Sequence, residues 1–207
     1  MTDDTALAAA KAAIIAAGQR MDRFHWVPAT AGNISVRLAD GRIAITRSGG
    51  HKGFLDEYGV IVVNAAGKPE RASDKASAET GLHCGVYARF AGAGAVLHGH
   101  SVAGTVLSRA AGASITLAGY ELLKAFPGLA THDATVELPV FDNDQDIAAL
   151  QAAVTRCWDG LATVPPGYLI RGHGIYVWAH DMPGALMRLE ALELMLACEL
   201  EERRVAR

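Results

Sequence analysis

The run Ala95-Val96-Leu97-His98-Gly99-His100 constrains this chain more than any other segment. Its apolar residues, with Gly92 and Gly94 before them and a helical pattern over 102–110 after them, read as a buried strand. Residues two apart on a strand share a face, so the two imidazoles stand side by side at the strand's C-terminal end. That end is where α/β folds commonly build their sites. A third histidine, His173, lies in Gly167-Tyr168-Leu169-Ile170-Arg171-Gly172-His173-Gly174, a second strand end or tight turn. A lone buried histidine is most often a core residue with its hydrogen bonds satisfied. Two on one face, each needing its own polar partner, fit that account less well. Three neutral imidazoles with a fourth position open form the ligand set of a catalytic zinc. Iron, cobalt or nickel would also bind there.

Length, charge and cysteine usage bound the rest. Its 207 residues can bury a sizeable core, and no repeat or linker divides 1–207, so one domain is expected. A formal net charge of -3 argues against a general electrostatic grip on nucleic acid or membrane. No apolar run is long enough to span a bilayer. The acidic start Met1-Thr2-Asp3-Asp4 lacks a signal pattern. Cys84, Cys157 and Cys198 lie far apart without CxxC spacing. They read as reduced thiols, each a small core residue, in a cytoplasmic protein.

Strands and helices are interspersed. Residues 5–21 are Ala-rich with helical spacing, capped by Thr2 or Asp4. Runs at 33–38 and 42–46 flank Ala39-Asp40-Gly41, a hairpin signal. Further strands are expected at 60–64, 115–117 and 134–140, and as a bent pair at 167–171 and 175–179. Helices are expected at 77–90 with Ser77 as cap, at 144–159, and at 181–204 with Asp181 as cap and Pro183 in the first turn. Tyr120–Ala125 reads as a turn or short helix. The hairpins imply a mainly antiparallel sheet with helices packed on it.

Three turns could hold a phosphate. Ala31-Gly32-Asn33-Ile34-Ser35 offers backbone N–H groups and an amide. Thr46-Arg47-Ser48-Gly49-Gly50-His51-Lys52-Gly53 offers hydroxyls, N–H groups and a cation. Ser73-Asp74-Lys75-Ala76-Ser77 leads into a helix N-terminus, where anions are favoured. Each alone is more often an ordinary turn; three beside a metal pattern are less ordinary. Two carboxylates could move protons. Glu79 sits in a helix's first turn, where it also suits the helix dipole. Glu121 sits among apolar residues in Gly119-Tyr120-Glu121-Leu122-Leu123-Lys124, where a pair with Lys124 is the plainer account. His25, His83, His132 and His180 have no evident partner and read as surface or core residues.

Together, His98-Gly-His100, Gly-His173-Gly, Ala-Gly-Asn33-Ile-Ser35, Ile-Thr46-x-Ser48-Gly49 and Ser77-Ala-Glu79-Thr resemble the class II aldolase/adducin-head family, over nearly the whole chain. Ser48-Gly-Gly-His-Lys52-Gly, Lys75-Ala-Ser-Ala-Glu-Thr80, Gly119-Tyr-Glu121-Leu-Leu-Lys124 and Tyr168-Leu-Ile-Arg-Gly-His173-Gly-Ile-Tyr176 are similar to its dehydratase branch in methionine salvage. The resemblance implies a three-layer α/β/α fold with a mainly antiparallel central sheet. It implies one Zn2+ per subunit on His98, His100 and His173, and homotetramers with sites near subunit interfaces. Arg47 and Gly50-His51 depart from the pattern, which has smaller or acidic residues there.

The implied substrate is a small sugar phosphate, 5-methylthioribulose 1-phosphate, with its phosphate among Asn33, Ser48, Gly49 and Ser77. The implied reaction is loss of water to the 2,3-diketone. Glu121 corresponds to the acid/base of the dehydratases, and an apolar setting would keep it protonated, ready to give a proton to the departing C4 hydroxyl. Glu79 corresponds to the catalytic glutamate of the family's sugar-phosphate aldolases. Removal of the C3 proton stays open between Glu79, Glu121 and a hydroxide at the metal. Aldol cleavage through the same enediolate is the alternative, breaking C3–C4 instead of C4–O. A non-catalytic, adducin-like interaction module is the third reading, and the three intact histidines weigh against it.

Overall fold

A computed structural model describes residues 3–206. The expected cap at Thr2 lies outside the described residues. Asp4 falls inside the first helix, α1 (Asp3–Arg23). The strands are β1 (Asn33–Arg37), β2 (Ile43–Thr46), β3 (Val60–Val63), β4 (Ala95–Gly99), β5 (Ser114–Ala118), β6 (Thr135–Phe141), β7 (Gly167–Ile170) and β8 (Gly174–Ala179). The other helices are α2 (Thr80–Arg89), α3 (Val102–Ala110), α4 (Ile147–Asp159) and α5 (Met182–Val205).

The strands form one eight-stranded sheet in the order β3-β2-β1-β4-β8-β7-β6-β5. All neighbouring pairs are antiparallel except β6 and β7, which run parallel, so the sheet is mixed. That one parallel pair needs a crossover, and α4 supplies it. The Asp40-Gly41 turn joins β1 to β2 as its residues suggest, with Leu38 N–H bonded to the Arg42 carbonyl at 2.8 Å.

Period-two alternation sorts the sheet's side chains into two layers. Ile34, Ala44, Leu97, Leu169, Ile175 and Val177 pack with residues of α1, α3 and α5. Ile43, Ile45, Val96, Tyr168, Tyr176 and Trp178 pack beneath α2 and α4. The architecture is three-layer α/β/α.

Two helices begin later than their sequence suggests. The expected Ser77 cap does not form: α2 starts at Thr80 with Glu79 in the cap position, and Ser77 instead closes a preceding turn by accepting from Glu79 N–H at 3.3 Å. In 144–159, Asp146 is the stronger cap, accepting from Ala148 and Ala149, so α4 begins at Ile147. Asp181 caps α5 as expected, accepting from Gly184 N–H at 2.8 Å. Of the cysteines only Cys84 is buried; Cys157 and Cys198 are half-buried, and all three thiols are free.

One buried carboxyl is only weakly compensated. Glu193 on α5 is 3% exposed, and neither of its oxygens has a hydrogen bond among the described residues. Burial pushes its pKa up to about 7, and the nearby Ser101 hydroxyl offsets only part of that. Between the ordinary value of 4.5 and 7 the folded chain keeps a proton that the unfolded chain has lost, so stability falls as pH rises through that window. Glu193→Met is therefore expected to stabilise the fold by up to about 3 kcal/mol at pH 8 and by much less at pH 4.5, measured by urea unfolding at both values.

Candidate metal centre

The site begins at one sheet row. Asn33, His98, Tyr176 and Tyr168 are consecutive partners across β1, β4, β8 and β7. His98 stacks on Tyr176 with ring centroids 4.0 Å apart, and Tyr176 stacks on Tyr168 at 5.0 Å. His98 is fully buried, and its Nδ1 lies 2.9 Å from the Ile175 carbonyl. A carbonyl only accepts, so Nδ1 carries the proton and Nε2 presents a lone pair. His100 follows the end of β4, held by its N–H to the Trp26 carbonyl at 2.6 Å. His173 sits in the tight turn between β7 and β8, whose Arg171 binds the carbonyls of Ser108, Ala111 and Gly112 at the end of α3. Gly174 completes that turn because a Cβ there would lie 2.2 Å from the Gly99 carbonyl and 2.9 Å from His98 Cε1.

These supports bring the three histidines together. One ring nitrogen from each of His98, His100 and His173 lies within 4.8 Å of the others. The Nε2 atoms of His98 and His100 are buried without a hydrogen-bond partner. Burial drives the pKa of His98 well below its ordinary value; burial, then neighbouring His173, lowers that of His100 to about 4. Both are neutral at pH 7, the ligating form. Orphaned lone pairs on converging neutral imidazoles fit a zinc-like cation with an open position. Asn143 lies behind His173, its side-chain oxygen 3.2 Å from Nδ1, and would orient that ring.

Glu79 faces the same point. Its carboxylate lies 2.9 Å from His173 Nε2, 3.5 Å from His98 Nε2 and 2.5 Å from Asn33 Nδ2. Burial works against its charge, but the His173 contact and the surrounding imidazoles outweigh it and hold the carboxyl near about 2. It stands at the cap position of α2 and not in a first helical turn, and its side chain turns from that helix to the histidines. Beside it opens a cavity of about 240 Å³ whose wall includes Asn33, Ser48, Gly49, Lys52, Ser77, Glu79 and His100. The three sequence-distant turns thus converge on one space. Gly32, in the first of them, has φ +81°, and a Cβ there would meet the His98 carbonyl at 2.7 Å.

The sequence matches the class II aldolase and adducin N-terminal domain over residues 12–200. The chain belongs to that family. It is 65% identical to a methylthioribulose-1-phosphate dehydratase of Gluconacetobacter diazotrophicus, the match covering 94% of each chain. It is 60% identical to a protein of the same name in Gluconobacter oxydans, over 90% of this chain and 89% of that one. Among solved structures, an L-fuculose 1-phosphate aldolase superposes with a TM-score of 0.79 at 19% identity, over all of this chain and 90% of that one, a likeness of fold.

Within this class II aldolase fold one expectation about a candidate residue needs correction. Glu121 does not sit in an apolar setting that keeps it protonated. Its side chain is 72% exposed and paired with Lys124, which lowers its pKa. The apolar neighbours Leu123 and Phe126 turn into the core while Glu121 points away from it. It does not line the histidine cavity. The departures from the family pattern have local uses: Arg47 pairs with Asp74 at 2.5 Å, and His51 accepts from Gly53 N–H at 3.2 Å. His83 is a core residue with Nδ1 2.7 Å from the Ser35 hydroxyl. Sequence reasoning missed Asn143, which nothing in its Asp-Asn-Asp setting marks. It passed over Lys52 as merely the cation of a turn.

Two variants separate a ligand from its support. His98→Ala is expected to leave less than about a tenth of an equivalent of metal per chain by elemental analysis. Asn143→Ala, with every ligand intact, is expected to weaken metal affinity by roughly 10–100-fold in a chelator competition.

Proposed function

We propose that the chain is a hydro-lyase that removes water from 5-methylthioribulose 1-phosphate to give 5-methylthio-2,3-diketopentyl 1-phosphate in methionine salvage. The observation that carries this reading is the 65% identity, over 94% of the chain, to a relative named for that activity. The histidine cluster supports it, because the reaction needs an electrophile beside a carboxylate. Residues 1–207 are read as one domain, since both apolar layers share a single sheet.

His98, His100 and His173 would hold one zinc per subunit. Zinc supplies Lewis acidity toward a substrate carbonyl, which acidifies the adjoining C–H. Asn33, Ser48, Gly49 and Ser77 would take the phosphate in the 240 Å³ cavity. Glu79, ionised and facing the ligand nitrogens, would accept the C3 proton. Glu121 is the candidate donor to the departing C4 hydroxyl. In the single chain it lies at the surface, so this role rests on a homo-oligomer, read as a tetramer, that carries Glu121 of one subunit to the site of another. No helix among the described residues is long and apolar enough to cross a membrane, which accords with a cytoplasmic enzyme.

The test is a mass spectrum of 5-methylthioribulose 1-phosphate after incubation with zinc-loaded protein. A product lighter by one water, absent with His98→Ala, is expected. Fragments from C3–C4 cleavage would make the chain an aldolase, a reading that Glu79 within the cluster favours. Glu79→Gln and Glu121→Gln are each expected to lower turnover by about a hundredfold or more with zinc content intact. A near-normal rate in either variant would remove that residue from the mechanism.

A further inference from the structure

The dehydration reading leaves Lys52 unused. Its side chain is 2% exposed, yet it lines the cavity that holds Asn33, Ser48, Gly49 and Ser77. Nζ donates to the Thr30 carbonyl at 2.5 Å and to the Gly50 carbonyl at 2.8 Å. Those carbonyls belong to two different turns, the one before Gly32 and the one after Gly49. An ammonium has three N–H bonds, so one remains. No carboxylate lies within ion-pairing distance of Nζ among the described residues; Glu79 acts on it only from further away. A buried ammonium with no counter-ion is strongly unfavourable unless the site's ligand supplies one.

The cavity's charge balance points the same way. Asn33, Ser48, Gly49 and Ser77 offer neutral donors. Among the described residues that line the cavity, Lys52 brings the one lysine or arginine side chain. We propose that Lys52 is the charge-reading residue of the cavity, tying its two turns together through Thr30 and Gly50 and giving its third N–H to an oxygen of the substrate's phosphate. The inference rests on the reading of this cavity as the phosphate end of the site. It makes Lys52 the residue that selects a phosphomonoester over the same ketose without phosphate.

The test uses inorganic phosphate as probe and the full-length, zinc-loaded protein at pH 7, by calorimetry. Lys52→Met keeps the apolar stem and removes the charge. It is expected to bind phosphate at least about 30-fold more weakly than the unaltered chain, in line with the loss of a charge-assisted hydrogen bond. KM for the sugar phosphate is expected to rise by a similar factor, with kcat changed only a few-fold and zinc content unchanged. Lys52→Arg is expected to recover part of the affinity. Should Lys52→Met not fold, the unaltered chain still decides the matter. With its five lysines labelled with nitrogen-15, phosphate is expected to shift the Lys52 ammonium resonance. Equal phosphate affinity in folded Lys52→Met, or an unmoved Lys52 resonance in a chain that does bind phosphate, would overturn the inference alone. No phosphate binding by the unaltered chain would overturn the reading of the cavity, and the inference with it.

Discussion

The 2.9 Å hydrogen bond from His98 Nδ1 to the Ile175 carbonyl ties the chemistry of the histidine cluster to the sheet. It exists because β4 and β8 pair antiparallel with His98 opposite Tyr176. The carbonyl fixes the proton on Nδ1, and the lone pair on Nε2 follows. A one-residue slip of β4 would turn His98 to the opposite face and lose ring stacking, tautomer and ligand together. Gly174 belongs to the same constraint, since β4 and β8 approach there too closely for any side chain. The apolar layer beneath α2 and α4 holds the register, because Val96, Tyr176 and Trp178 are buried by the same pairing that aims His98.

Charge is then laid out over a short distance. The imidazoles of His98 and His100 are kept neutral by burial, Glu79 is kept ionised beside them, and Lys52 lies in the wall of the adjoining cavity. A ketose phosphate has matching ends, a carbonyl to be polarised and a dianion to be held. Sheet, turns and the start of α2 each contribute one part of that arrangement, which is why the fold and the site cannot be described separately.

Much of this was legible in the residues. Period two placed His98 and His100 on one face, and Asp40-Gly41 announced the β1–β2 hairpin. The three glycine-containing turns were visible as candidates, but only folding brings Asn33, Ser48 and Ser77 to one cavity. The order of strands was not legible, because nothing local says that β4 lies between β1 and β8 or that β6 runs parallel to β7. The start of α2 was misread because a serine, two residues before a glutamate, can equally close a turn. Glu121 was misjudged because apolar neighbours in sequence do not imply an apolar environment: Leu123 and Phe126 face inward from a short turn that leaves Glu121 in solvent. Lys52 and Asn143 act through long-range contacts that leave no periodic trace.

The most direct test of the account is X-ray absorption at the zinc edge of the loaded protein. The account predicts three imidazole nitrogens at about 2.0–2.1 Å, with the remaining coordination from oxygen. A sulfur ligand at about 2.3 Å, or a coordination shell with fewer than three histidines, would contradict it.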